Sequence, residues 1–152
     1  MDSNLLLLLV VGNWSPRFIG TFKRLSDYTV SDFNLVREFV SSFQTVVATA
    51  HVLTEVSNLA GSATGESKKS IYQQLAQTIG LLDERSMSSR VASTCPEFSL
   101  FGLTDAALST LCLEIPLLTS DGRLADYLQR KGLQVLTLHS LRLLRNQANN
   151  GR

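Results

Sequence analysis

The segment from Ile115 to Leu138 constrains the fold of this chain more than any other. Ile115 to Leu118 is a short apolar run, Thr119-Ser120-Asp121-Gly122 is a polar turn, Arg123 to Lys131 reads as a helix, and Gly132 stops it before a second apolar run, Leu133 to Leu138. Strand, helix and strand in that order predict a parallel pair, because parallel neighbours need a crossover, and such crossovers are right-handed. Parallel sheets are covered by helices, so the expected class is α/β.

The remaining segments fit that class. Phe33, Val36, Phe39, Val40 and Phe43 recur at helical spacing over 31–43, with Ser31 or Asp32 available as the N-cap. Thr45 to Ala48 is β-branched enough for a short strand, and Val52, Val56 and Leu59 then extend a helix to Gly61 that carries Glu55. After the small polar stretch 62–69, Ile71, Leu75, Ile79 and Leu82 mark another helix. Residues 83–96 have few large apolar side chains and many serines, which predicts a long surface connection of the kind that carries binding groups; Arg85 and Arg90 lie in it. Thr104 is a good N-cap for a helix running to Leu113, with Asp105 in its first turn.

Leu5 to Val11 is continuously apolar, and periodicity does not separate a buried strand from a buried helix over that length. It is far shorter than the roughly 20 residues that span a bilayer. It also has no basic residue before it and no small-residue cleavage site after it, so a cytoplasmic protein without membrane contact is expected. With 152 residues the chain suits one domain, 1–152, and 44% hydrophobic against 18% charged residues excludes disordered and fibrous classes. Fourteen basic and thirteen acidic side chains leave a net charge of +1, so any site for a polyanion is local rather than a global field. Cys95 and Cys112 lack metal-ligand spacing and read as buried thiols of a reducing compartment.

No Ser-His-Asp, Cys-His, Walker or glycine-rich phosphate signature is present, and His51 and His139 read as structural residues. The chemistry is left to carboxylates. In open α/β sheets the functional crevice lies beyond the carboxyl ends of the strands. Asp121 sits at such a point, Asp105 at a comparable helix start, and Glu55 can join them from a helix whose other face is apolar. Converging carboxylates offset their mutual repulsion by binding a hard cation, Mg²⁺ or Mn²⁺, and such an ion can activate water for phosphodiester hydrolysis.

Four segments resemble the PIN-domain nucleases, including the VapC-type toxins: Met-Asp-Ser-Asn at 1–4, Val-Leu-Thr-Glu-Val at 52–56, Gly-Leu-Thr-Asp-Ala-Ala at 102–107 and Leu-Leu-Thr-Ser-Asp-Gly-Arg-Leu-Ala at 117–125. Their order and spacing agree with the family, and the resemblance covers nearly the whole chain. The resemblance implies a three-layer α/β/α sandwich around a mainly parallel sheet, with Leu5 to Val11 as the first helix. It implies an endoribonuclease using Mg²⁺ or Mn²⁺, with Asp2, Glu55, Asp105 and Asp121 as its catalytic and metal-binding acids. Asn4, Thr119 and Ser120 match accompanying polar positions, whose role would be to orient carboxylates or a bound water. Only Met1 precedes Asp2, so the family's first strand is either a stub or begins upstream.

RNA phosphates would need local cations. Arg85, Arg90 and Arg123 are the candidates, with Lys68, Lys69, Arg142 and Arg145 as further possibilities. Asp126, Glu38, Glu66, Asp83, Glu84, Glu97 and Glu114 read as surface charges. As implied partners the resemblance brings an antitoxin protein and a second copy of the chain. Two alternatives stand beside the toxin: a PIN-like nuclease without an antitoxin, serving RNA processing or antiviral defence, and a catalytically inactive α/β interaction module.

Overall fold

The apolar run that periodicity leaves open is a helix. Helix α1 spans Ser3–Trp14, and Leu5 to Val11 are buried without interruption, the pattern of a helix apolar all round that belongs inside a core. The computed structural model describes residues 1–150. The chain divides into two compact units, Ser3–Ser86 with Met1, and Met87 onward with Asp2.

In the first unit α1 is followed by two 3₁₀ turns, Pro16–Thr21 and Lys23–Leu25. Then come α2 (Val30–Ser41), β1 (Val47–Thr49), α3 (Ala50–Ala60), α4 (Gly65–Ile79) and β2 (Asp83–Arg85). Helix α1 packs against α2, α3 and α4. Each leucine or valine that it buries contributes about 1.5–3 kcal/mol relative to exposure. Gly12 permits a close approach to α2: a Cβ there would lie 2.2 Å from the Phe33 ring.

Three local expectations need correction here. The N-cap of α2 is Thr29 rather than Ser31 or Asp32; Thr29 and Asp32 form a reciprocal capping box, which satisfies two N–H groups where a single cap would satisfy one. Phe43 lies beyond the helix end and is 53% exposed. The stretch 83–96 is not one surface connection. Its first residues form β2, which pairs parallel with β1 from Val47↔Asp83 to Thr49↔Arg85; an Asp-Glu-Arg strand carries no apolar alternation, and backbone pairing alone defines it.

In the second unit the order is α5 (Ser89–Ala92), α6 (Pro96–Phe101), α7 (Leu103–Leu111), β3 (Leu117–Thr119), α8 (Gly122–Arg130), β4 (Val135–Thr137) and α9 (Leu138–Asn150). Strands β3 and β4 are parallel, Leu117↔Val135 to Thr119↔Thr137, as the strand, helix, strand pattern predicts. Gly132, at φ +81°, turns the chain after α8 in a backbone conformation open to glycine. Helix α7 starts two residues earlier than expected, with Gly102 at φ +90° in the cap position and Thr104 already inside the helix. Ala92, Ala106 and Ala107 form a small core against which Met87 and Leu103 pack.

The architecture is thus mixed α/β and mostly helical, with two parallel two-stranded sheets among the described residues. Among the described residues no helix is long and apolar enough to cross a membrane.

Candidate active site

The second unit gathers candidate site residues at the carboxyl end of β3. Leu117 turns its N–H toward the β4 side, to the carbonyl of Gln134 at 2.9 Å. Backbone groups alternate between the two edges of a strand, so Leu118 turns its carbonyl to the opposite edge, where it accepts the N–H of Asp2 at 3.0 Å. Asp2 is thereby fixed beside the last residues of β3. Its side chain is held too. Thr119 Oγ1 donates to Asp2 Oδ2 at 2.6 Å, the Ser120 N–H donates to the same oxygen at 2.6 Å, and Ser120 Oγ does so at 3.1 Å. Asp2 is 5% exposed and Thr119 fully buried.

Asp121 follows directly. Its N–H donates to Thr119 Oγ1 at 3.0 Å, so one hydroxyl serves both acids. Its Oδ1 caps α8, accepting from the N–H groups of Arg123 (2.8 Å) and Leu124 (3.0 Å), a bonding pattern that alone accounts for an Asp at a helix start. The capping uses one carboxylate oxygen and leaves Oδ2 without a hydrogen bond among the described residues.

Asp105 follows α6, an element that the sequence does not announce. Glu97 at the start of α6 pairs with Lys131 just past the end of α8, while Phe101 at the other end of α6 packs edge-on against Tyr127 (5.4 Å) and lies under the Arg123 guanidinium (5.7 Å). As α6 advances from 97 to 101, its partners on the α8 side recede from 131 to 127 and 123. The two segments run in opposite senses. The junction from α6 through Gly102 into α7 therefore comes to the end of α8 that Asp121 caps, and half-buried Asp105 stands in the first turn of α7.

Glu97 corrects the surface reading: it is 5% exposed. Burial pushes its carboxyl up, but hydrogen bonds from Lys131 and from its own backbone, with the lysine charge, outweigh that and hold it below its ordinary value. The Lys131 ammonium is raised, first by its hydrogen bond to Glu97 and then by one to Tyr127. The sequence signal was local: Pro96 and Glu97 are a proline at a helix start and an acid in its first turn. The partner 34 residues away carried none. Of the two thiols, Cys112 is buried and pushed up by that burial, whereas Cys95 is only half-buried.

The other predicted residues belong to the first unit or lie at the surface. Glu55 belongs to the first unit, half-buried on α3, where Ser3 Oγ donates to its Oε2 at 2.9 Å; Ser3 escaped the sequence reading. Asn4 is exposed on the first turn of α1. Arg85 is exposed and paired with Asp83 at 2.8 Å, Arg90 is exposed on α5, and Arg123 is exposed on the first turn of α8. Lys68 lies over the Tyr72 ring at 5.9 Å.

No protein-family model, curated protein or solved structure matches the chain. The chemistry of the site is therefore read from its own side chains. Carboxylates and hydroxyls make an all-oxygen donor set, which suits a hard cation such as Mg²⁺ or Mn²⁺ and not a soft one. Among the described residues no three His, Cys, Asp or Glu side chains are grouped closely enough to hold an ion. An octahedral Mg²⁺ asks for less, because it keeps several waters and takes only one or two carboxylates from the protein. Asp2 and Asp121, joined through Thr119, can supply those two.

Proposed function

We propose that this protein is a metal-dependent endoribonuclease that hydrolyses RNA phosphodiester bonds, and that the PIN-like three-layer architecture implied by its sequence motifs goes with that activity. Its acids are Asp2, Asp105 and Asp121 of the second unit, with Glu55 assigned by the resemblance of its sequence frame. The observation that supports the reading best is the Asp2 carboxylate. It is buried at a strand's carboxyl end, and the three donors on its Oδ2 are two hydroxyls and a backbone N–H, all neutral. These donors hold the carboxylate in one orientation at the end of the strand, the preorganisation that a ligand to a hard divalent cation needs.

In this reading Asp2 and Asp121 hold the ion, and Asp105 draws a proton from, or orients, the attacking water. Thr119 and Ser120 keep Asp2 in one orientation, and Arg123 at the start of α8 offers its exposed guanidinium to a phosphate of the strand. Bound Mg²⁺ or Mn²⁺ would supply acidification of a water and neutralisation of charge on the scissile phosphate. From the resemblance alone come a cytoplasmic toxin's setting, an antitoxin partner and a homodimer.

Cleavage of a single-stranded RNA in Mg²⁺ or Mn²⁺, against the same reaction in EDTA, tests the proposal with wild type, Asp105→Asn and Asp121→Asn. Asparagine still caps a helix, so the second variant keeps its fold. Wild type should cleave only with metal, and each variant should lose about 100-fold or more. Variants that cleave like wild type, or a wild type inert in both metals, would leave the interaction-module alternative standing.

A further inference from the structure

The first unit holds a cavity of about 460 Å³ formed by the two 3₁₀ turns and the connection from α3 to α4, within the range of about 300–1,000 Å³ in which small ligands are held. Its lining is chemically sorted. Lys23 and Arg24 supply two adjacent cations, Thr64 a hydroxyl, and Phe18 and Phe22 an apolar wall; no acidic side chain lines it.

The two cations are uncompensated. Neither Lys23 nor Arg24 makes an ion pair or a side-chain hydrogen bond among the described residues, whereas Arg85, Arg130 and Lys131 are each paired with an acid. They are also fixed at their base, because Phe22 and Leu25 on either side are 5% and 0% exposed and anchor the turn. The Thr64 hydroxyl makes no capping bond and remains a donor. Phe18 is half-buried, backed edge-on by Trp14 at 5.0 Å and stacked with Phe22 at 5.6 Å. Two cations without an acidic partner among the described residues, a hydroxyl donor and an aromatic ring on one concave wall match a ligand with a phosphate at one end and a flat apolar ring at the other.

We propose that this cavity binds one nucleotide of a single-stranded RNA, its phosphates against Lys23 and Arg24 and its base against Phe18. The choice of RNA rests on the ribonuclease reading; the phosphate-and-ring chemistry does not. A free nucleoside monophosphate shares that chemistry, and the test separates the two.

The full-length chain is titrated in EDTA with a fluorescent 12-nucleotide oligouridylate at several salt concentrations. Binding is then measured apart from cleavage. Lys23→Gln/Arg24→Gln should weaken binding at least fivefold and lower the salt slope by about 1.4, from two lost phosphate contacts on a single strand. Arg37→Gln/Arg130→Gln, with the same charge loss outside the cavity, should change neither, and Phe18→Leu should weaken binding without altering the slope. Circular dichroism establishes that each variant is folded. If the cavity variant binds no more weakly than the control, the proposal is overturned, whether or not wild type cleaves RNA. If uridine monophosphate competes as well per site as the oligonucleotide binds, the strand assignment is overturned. A wild type that binds RNA through this cavity yet never cleaves it would refute the nuclease reading and leave the cavity assignment intact.

Discussion

Thr119→Val removes one hydroxyl and nearly nothing else, and that hydroxyl joins the two acids at the end of β3. It donates to Asp2 Oδ2 at 2.6 Å and accepts the Asp121 N–H at 3.0 Å, from a side chain with no exposure. A hydrogen bond to a charged group is worth about 1.5–3 kcal/mol and one between neutral partners about 1 kcal/mol. Valine's additional methyl returns up to about 0.8 kcal/mol by burial. The net loss should be about 2–3 kcal/mol, because Asp2 stays behind buried, and the Asp121 N–H half-buried, without their shared contact. Urea unfolding followed by far-ultraviolet circular dichroism reads this as a lower midpoint at unchanged slope. Thr119→Ser is the control: it keeps the hydroxyl, loses a methyl and should cost only about 1 kcal/mol. A valine variant as stable as wild type, or more stable than the serine variant, would refute the claim that this hydroxyl organises the strand end.

Two further outcomes follow from the packing and the charges. Gly12→Ala should destabilise the protein although alanine favours helix by about 1 kcal/mol, because the new Cβ falls 2.2–2.6 Å from three atoms of the Phe33 ring and such overpacking costs about 1–3 kcal/mol; in thermal unfolding, Phe33→Leu added to Gly12→Ala should recover part of the loss. Glu97→Gln should destabilise at neutral pH and progressively less as pH falls, since the folded-state carboxyl lies below its ordinary value and its contribution, present above the unfolded value, is lost as pH drops through the folded one. The raised Lys131 contributes below its ordinary value and is lost only as pH rises through the raised one, so the wild type–variant difference should stay flat across neutral pH. A difference constant down to pH 3 would count against the pairing.

What could be read from the chain in advance was whatever is written locally. The β3–α8–β4 unit declared itself because its apolar runs, polar turn and closing glycine all lie within 25 residues, and Asp121 was legible as the residue after a strand and before a helix. β2 was not, since Asp83-Glu84-Arg85 becomes a strand only by pairing with residues 36 positions earlier. Glu97 looked like any surface acid until α6 was laid along α8, and the pairs that fix α6 join residues 34 and 26 positions apart. Asp2 was named by its motif alone; that Leu118, Thr119 and Ser120 hold it is a long-range fact without periodicity. Ser3, which bonds Glu55 across 52 residues, left no sequence signal.

Whether Asp2 and Asp121 hold a divalent cation for RNA hydrolysis can be seen by anomalous X-ray scattering from crystals of the protein soaked in Mn²⁺. A manganese peak is expected within ligand distance of a carboxylate oxygen of Asp2 and of Asp121, and it should be lost in Asp121→Asn crystals. Crystals that show no peak at these acids at millimolar Mn²⁺, or a peak only elsewhere, would contradict the proposed site.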